Sequence, residues 1–218
     1  MTAIIFDCDG VLVDSEVLAL EIELTSLKEI GLEFDVEAYQ KLHLGTTSME
    51  FFREIGNDYR AKFGEPLPEG FRERVGARYR EAFSTRLEVI PGVHAALQAV
   101  SAPIAVASGS SPAGLQQKLS HTDLIQFFGE HVYSSHQVEH GKPAPDLFLF
   151  VADALGVDPA ICVVIEDSAK GVQAAVAAGM RAIGFTGGGH CLAGHGEGLL
   201  AEGAECIVSL MENLGAAL

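Results

Sequence analysis

The sequence predicts a doubly wound α/β fold, a parallel sheet covered by helices, with an all-helical segment inserted after the first strand. Three observations predict it. Short apolar runs near residues 104–107, 131–133, 161–165, 182–185 and 205–208 alternate with helical patterns, the βαβα rhythm of a parallel sheet. Residues from about 14 to 88 repeat apolar side chains at helical spacing without a convincing strand. The apolar run at residues 4–6, alone before that block, has no other sheet to join.

At 218 residues the chain can hold one large or two modest domains. It is 48% hydrophobic and 20% charged, within the globular range. A formal net charge of -16 argues against nucleic acid and anionic membranes as partners, since both need basic patches. An anionic small substrate binds such a chain only where local positive charge or a metal overrides the global field. Of 14 Lys and Arg, ten lie in residues 14–88 with 16 Asp and Glu; the rest of the chain holds four against 14. The few cations outside the helical segment are therefore informative. Cys8, Cys162, Cys191 and Cys206 are scattered without CxxC spacing, which suits a reducing compartment. With no signal-peptide pattern at the N-terminus and no bilayer-length apolar stretch, a cytoplasmic protein is expected, a monomer or weak dimer.

In chain order, residues 4–6 read as a buried β strand. Asp14 and Ser15 are candidate caps for a helix in which Val17, Leu20, Leu24 and Leu27 recur up to Gly31. Further helices follow to about residue 85, punctuated near Asn57 and Asp58 and by Pro66 and Pro68. In the last of them Phe71, Val75, Tyr79, Ala82 and Phe83 form an apolar stripe. Arg72, Arg74, Arg78 and Arg80 read as a solvated face paired with Glu69, Glu73 and Glu81. Beyond Val89-Ile90-Pro91-Gly92 come the alternating strands and helices, with Ser110 or Ser111 capping a helix from Pro112. The tail adds a helix near residue 199, a strand and a last helix. Gly187-Gly188-Gly189 reads as a mobile loop; His190, Cys191 and His195 after it match no strong zinc spacing.

Two carboxylates, Asp7 and Asp9, end the first strand. Buried strands rarely finish on acids, because a desolvated carboxylate is costly unless paired or bound to a metal. Extended, the two would share a face and repel, which makes sense with a hard cation between them. Gly10 then lets the chain turn.

Ligands of open parallel sheets sit beyond the carboxyl ends of the strands. There the sequence places Asp7 and Asp9, then Ser108 and Gly109, then Lys142, then Glu166 and Asp167. Carboxylates with water suit octahedral Mg²⁺. Ser108, the Gly109 N–H and Lys142 suit phosphate oxygens. A carboxylate that attacks phosphorus gives an aspartyl-phosphate.

The run Phe6-Asp7-Cys8-Asp9-Gly10-Val11-Leu12-Val13-Asp14-Ser15 resembles the first motif of the haloacid dehalogenase (HAD) superfamily. Ser108, Lys142 in Gly141-Lys142-Pro143-Ala144-Pro145-Asp146, and Glu166-Asp167-Ser168 resemble its second, third and fourth motifs, in order. The resemblance implies a Rossmann-like core of residues 1–13 and 89–218 and an α-helical cap of residues 14–88. It implies Asp7 as nucleophile and Asp9 as general acid, then base. Mg²⁺ is then held by Asp7, the Asp9 backbone carbonyl, Asp167, and Glu166 directly or through water. Ser108, Gly109 and Lys142 hold the phosphoryl group, and cap residues around Gly45 and Thr46 choose the substrate, a small phosphorylated metabolite.

Within the superfamily the chain most resembles the β-phosphoglucomutase and sugar-phosphate phosphatase branch. Ala19 stands where the mutases have a histidine, and Gly45-Thr46-Thr47-Ser48 lacks their phosphate-clamping arginine, so hydrolysis is favoured over the mutase alternative. Another arginine from residues 72–86 is a candidate substitute for that clamp. A carbon–halogen hydrolase would not need Asp9. A non-enzymatic phospho-receiver would lack both the helical insert and the Glu166-Asp167 pair.

Overall fold

The structure is a computed structural model that describes residues 2–43 and 48–218. In chain order it runs β1 (Ala3–Phe6), α1 (Ser15–Glu29), α2 (Val36–His43), α3 (Ser48–Phe63), α4 (Phe71–Thr85) and α5 (Val93–Ala99). Next come β2 (Ile104–Ser108), α6 (Pro112–His121), α7 (Ile125–Phe128), β3 (Val132–Ser134) and α8 (Asp146–Leu155). The chain finishes with β4 (Cys162–Glu166), α9 (Ala169–Ala177), β5 (Arg181–Phe185), α10 (His195–Ala201), β6 (Cys206–Val208) and α11 (Leu214–Ala217). No helix among the described residues is long and apolar enough to cross a membrane.

The six strands form one parallel sheet in the order β3-β2-β1-β4-β5-β6. The order reverses between β1 and β4, which is where doubly wound sheets open their crevice. Alternate strand residues feed opposite faces. Ile4, Phe6, Val106, Val163 and Ile165 join one core with Val93 and Leu97 of α5, Leu115 and Leu119 of α6, and Phe128 of α7. Ala3, Ile5, Ala105, Ala107 and Val164 join the other with Phe148 and Val151 of α8 and Val172 and Ala175 of α9. Covered on both faces, the central strands are continuous apolar runs.

The helices α1–α4 lie between β1 and β2 in the chain, as the apolar pattern predicts. Leu18, Ile22, Phe51, Ile55, Phe71 and Val75 continue the first core cluster into this helical part. The buried face of α1 is Ser15, Leu18, Ile22, Ser26 and Leu27, while Val17 is exposed and Leu20 and Leu24 are half-buried. Apolar residues surround α1, so packing against α4 and the core chooses the face rather than the stripe read from sequence. Asp14 precedes α1 but its side chain does not cap it. Its Oδ1 accepts the Gly189 N–H at 3.1 Å instead. Ser111 does cap α6, accepting from Gly114 N.

The arginine face of α4 pairs differently from the local expectation. Arg78 donates to Glu29 and to Ser26 Oγ on α1, and Arg86 pairs with Glu21 there. Arg74 donates to the Glu69 carbonyl, and Arg72 lies over the Phe52 ring.

Between α1, α2 and α4, the Glu23 carboxylate accepts hydrogen bonds from Tyr39 (2.9 Å) and Tyr79. Burial raises the Glu23 carboxyl above its usual range, although both hydroxyls oppose the shift. The folded state therefore favours the protonated form. That contribution is complete below the unfolded value near 4.5 and is lost as pH rises through the raised folded value. The variant Glu23→Gln removes the titration: its stability relative to the parent, measured by urea unfolding, increases as pH rises above the ordinary carboxyl value near 4.5. A difference independent of pH contradicts this account.

Candidate active site

Strand β1 stops at Phe6 and the chain turns at once. The Cys8 carbonyl accepts from Leu12 N and Val13 N, and Gly10 N donates to the Val13 carbonyl. Gly10 has φ +76°, and a Cβ there would lie 2.0 Å from Asp167 Oδ2, so glycine is required twice over. The turn separates the two carboxylates that an extended strand would crowd together. Asp7 joins one charge cluster and Asp9 another.

The first cluster gathers Asp7, Glu166 and Asp167, whose ligand oxygens lie within 4.8 Å of one another. The register pairs Phe6 with Ile165, so Asp7 and Glu166 emerge side by side from β1 and β4. All three acids are buried, Glu166 completely. Lys142 Nζ reaches Asp7 Oδ1 at 2.8 Å and the Ala107 carbonyl at 3.0 Å, and it also pairs with Glu166 Oε1. Burial alone would depress the lysine, but Asp7 and Glu166 outweigh it and raise its pKa, holding it charged. Burial pushes the Asp7 carboxyl up, with Lys142 opposing and Glu166, Asp167 and Asp9 adding to the rise. Glu166 is raised too, for the same first reason. Its other oxygen accepts from Ser168 N and Oγ, and Ser168, not the acids before it, caps α9 through Gly171 N. A Cβ on Gly171 would fall 1.9 Å from the Glu166 carboxyl carbon, so that residue too must be small.

The second cluster surrounds Asp9, whose carboxylate lies outside the metal-capable group of acids. Oδ1 accepts from Ser15 Oγ and Lys118 Nζ, and Oδ2 from Ser110 Oγ at 2.8 Å and Ser108 Oγ at 3.3 Å. Burial would raise Asp9, yet the Lys118 charge and these hydrogen bonds bring it down to about 2. Glu16, beside them, is pushed up to about 7 by burial and by Asp9 and Asp167.

Of the other predicted residues, Ser108 ends β2, is 1% exposed and accepts Ser110 N–H at 3.0 Å. Gly109 follows it and is exposed. Gly45 and Thr46 lie outside the described residues. Three residues escape the motif reading: Lys118 of α6, Ser110, which the sequence suggests only as a cap, and His190. Lys118 is one of only four cations outside residues 14–88, so the charge count held a signal for it. His190 donates to Asp167 Oδ2 at 2.9 Å, and Asp167 helps hold its imidazole up at about 11 against burial. The glycine run before it is packed: Cβ atoms on Gly187, Gly188 and Gly189 would strike Phe185, His190 and Asp14.

The arrangement places a buried carboxylate nucleophile candidate, an oxygen-rich cation site, a fixed lysine and a separately held second aspartate at one crevice. A family model for haloacid dehalogenase-like hydrolases matches residues 1–179, which include every predicted site residue. The 6-phosphogluconate phosphatase of Escherichia coli (strain K12) is 30% identical over 189 residues, 86% of this chain and 84% of its own. A phosphorylated carbohydrates phosphatase of Thermotoga maritima is 33% identical over 217 residues, 98% of this chain and 97% of its own. A solved haloacid dehalogenase-like protein of unknown function from Agrobacterium tumefaciens superposes with TM-score 0.88 at 35% identity, covering 100% of this chain and 97% of that one. The crevice at the β1–β4 reversal and these likenesses over nearly the whole chain agree: the protein belongs to the haloacid dehalogenase-like hydrolases and is a phosphomonoester hydrolase of that family.

Proposed function

We propose that the chain is a Mg²⁺-dependent phosphatase of a small phosphorylated metabolite, a sugar phosphate or similar, working through an aspartyl-phosphate on Asp7. The observation that carries this reading is the buried Asp7–Glu166–Asp167 group with Lys142 bound to Asp7. Three desolvated carboxylates draw the charge of one lysine and one histidine, leaving negative charge that a hard cation offsets. The donors are all oxygen, which fits Mg²⁺. Asp7, Asp167 and the Asp9 carbonyl would hold the ion, with Glu166 directly or through water. When bound, Mg²⁺ neutralises phosphoryl oxygens and holds them in line with the nucleophile.

Asp7 Oδ attacks phosphorus, and the ester oxygen leaves with a proton from Asp9, which is ionised in the free site and takes that proton from the phosphate monoanion as the substrate binds. Asp9 then takes a proton from the water that hydrolyses the aspartyl-phosphate. Ser108, the Gly109 N–H and Lys142 hold the phosphoryl oxygens. Residues 14–88 act as a cap domain that reads the leaving group, and the family resemblance assigns substrate contact to Gly45 and Thr46. Lys170 Nζ on α9 reaches Glu50 of α3 at 3.1 Å, a polar tie between cap and core. The arginines Arg74, Arg78 and Arg86 are engaged within the cap, which weighs against these three as the clamp for a second phosphate that a mutase needs.

A screen of sugar phosphates and phosphoglycolate, with Mg²⁺ and after chelation, tests the reading. Asp7→Asn and loss of Mg²⁺ each lower turnover by at least about 10³-fold. Turnover that survives both sinks the mechanism; isomerisation without net phosphate release favours the mutase.

Lys118 acts by holding Asp9 in position as acid and base. In Lys118→Met the first-turnover rate with an alkyl phosphate falls by about 10²-fold or more, while the burst with p-nitrophenyl phosphate, whose leaving group needs no proton, persists. Lys118→Arg restores part of the loss. An equal fall for both esters makes Lys118 only a structural residue.

A further inference from the structure

The segment from residue 187 to 195 lies beyond the residues that the family model matches. Hydrolysis as proposed makes no use of Cys191 or His195. His190 is 2% exposed and occupies a slot walled by glycine: a Cβ on Gly10 or Gly188 would come within 2.7 Å of its ring. The slot points Nε2 at Asp167 Oδ2 (2.9 Å) and at Cys191 Sγ (3.4 Å).

His195, at the start of α10, has Nε2 2.6 Å from the Asp167 carbonyl oxygen. A carbonyl only accepts, so Nε2 carries a hydrogen and Nδ1 is the ring nitrogen left to bind a metal. Metal-ligating histidines are oriented in this way, giving their other ring N–H to a carbonyl or carboxylate. One ligand atom from each of His190, Cys191 and His195 lies within 4.8 Å of the other two. Bonds of about 2.0–2.1 Å to nitrogen and about 2.3 Å to sulfur give a tetrahedral zinc site N···S edges of about 3.5 Å. The His190–Cys191 separation already matches that edge. Mixed thiolate and imidazole donors select a soft cation over Mg²⁺. Cys191 and His195 also line a surface groove of 470 Å³, a route of entry from solvent.

We propose that His190, Cys191 and His195 form a second metal site, for Zn²⁺, with its fourth position taken by water. Binding releases the thiol proton and the His190 imidazolium proton to solvent. It exchanges the hydrogen bond from His190 Nε2 to Asp167 for a bond from that nitrogen to the cation. Asp167 then borders two sites, a hard one toward Asp7 and a soft one toward Cys191. The linear spacing His-Cys-x₃-His does not announce this, because it matches no strong zinc pattern.

Cobalt reports the site directly. The metal-free protein is titrated with Co²⁺ in excess Mg²⁺, which keeps the oxygen site filled. One Co²⁺ per chain brings a thiolate-to-cobalt charge-transfer band and tetrahedral d–d bands, and Zn²⁺ displaces it. Cys191→Ser abolishes the charge-transfer band, His195→Gln weakens binding by about 10- to 100-fold or more, and Cys206→Ser changes neither. Absence of the band in the parent protein, or its persistence in Cys191→Ser, overturns the proposal. So does full-strength binding in His195→Gln, a substitution at a half-buried position that the core does not need.

Discussion

The buried lysine between Asp7 and Glu166 is the interaction on which the rest of the crevice depends. Lys142 is enclosed by the two carboxylates, the Ala107 carbonyl and the Phe148 ring. A charge so enclosed is tolerated only while its partners stay in place, and breaking a buried pair typically costs about 3–5 kcal/mol. Three strands must therefore end at one level: β1 to deliver Asp7, β2 to deliver the Ala107 carbonyl, and β4 to deliver Glu166. The parallel sheet does this because its ladder sets Phe6 beside both Val106 and Ile165.

The two aspartates of the opening motif divide between unlike surroundings. Asp7 sits among acids where burial raises its carboxyl, while Asp9 sits among three hydroxyls and Lys118, which hold its carboxyl low. A single turn closed by Gly10 achieves the separation, and the Gly10 position against Asp167 ties that turn to β4. Lys118 also lies over the Phe83 ring of α4, so the group that fixes Asp9 touches the helical part of the chain.

Much of the architecture was legible in the amino-acid pattern. The β1 run and the β4 run up to Ile165 are apolar at every position because both faces are covered, and the helical block between β1 and β2 lacks any period-two stretch. The buried face of α1 was not legible, because a helix apolar on several sides leaves the choice to its neighbours. Arg78 of α4 and Arg86 just after it likewise pair with Glu29 and Glu21 on α1, 49 and 65 residues away in the chain, rather than with nearby acids. Long side chains on a helix surface pair with whatever the packing presents.

By itself the sequence determined the fold class, the acidic strand ends and the four motifs that place Asp7, Ser108, Lys142 and Glu166-Asp167 at one edge. These are local signals: a strand, a turn glycine and a chemically costly residue type at each strand end. Tertiary structure alone decided that Asp9 leaves the acidic group for Lys118 and Ser110, that each residue of the Gly187–Gly189 run packs against a neighbour, and that His190, Cys191 and His195 come together, both histidines bonded to Asp167. The reason is physical. Which carboxylate meets which cation depends on distances between elements far apart in the chain, and those distances exist only once the sheet and its helices have packed.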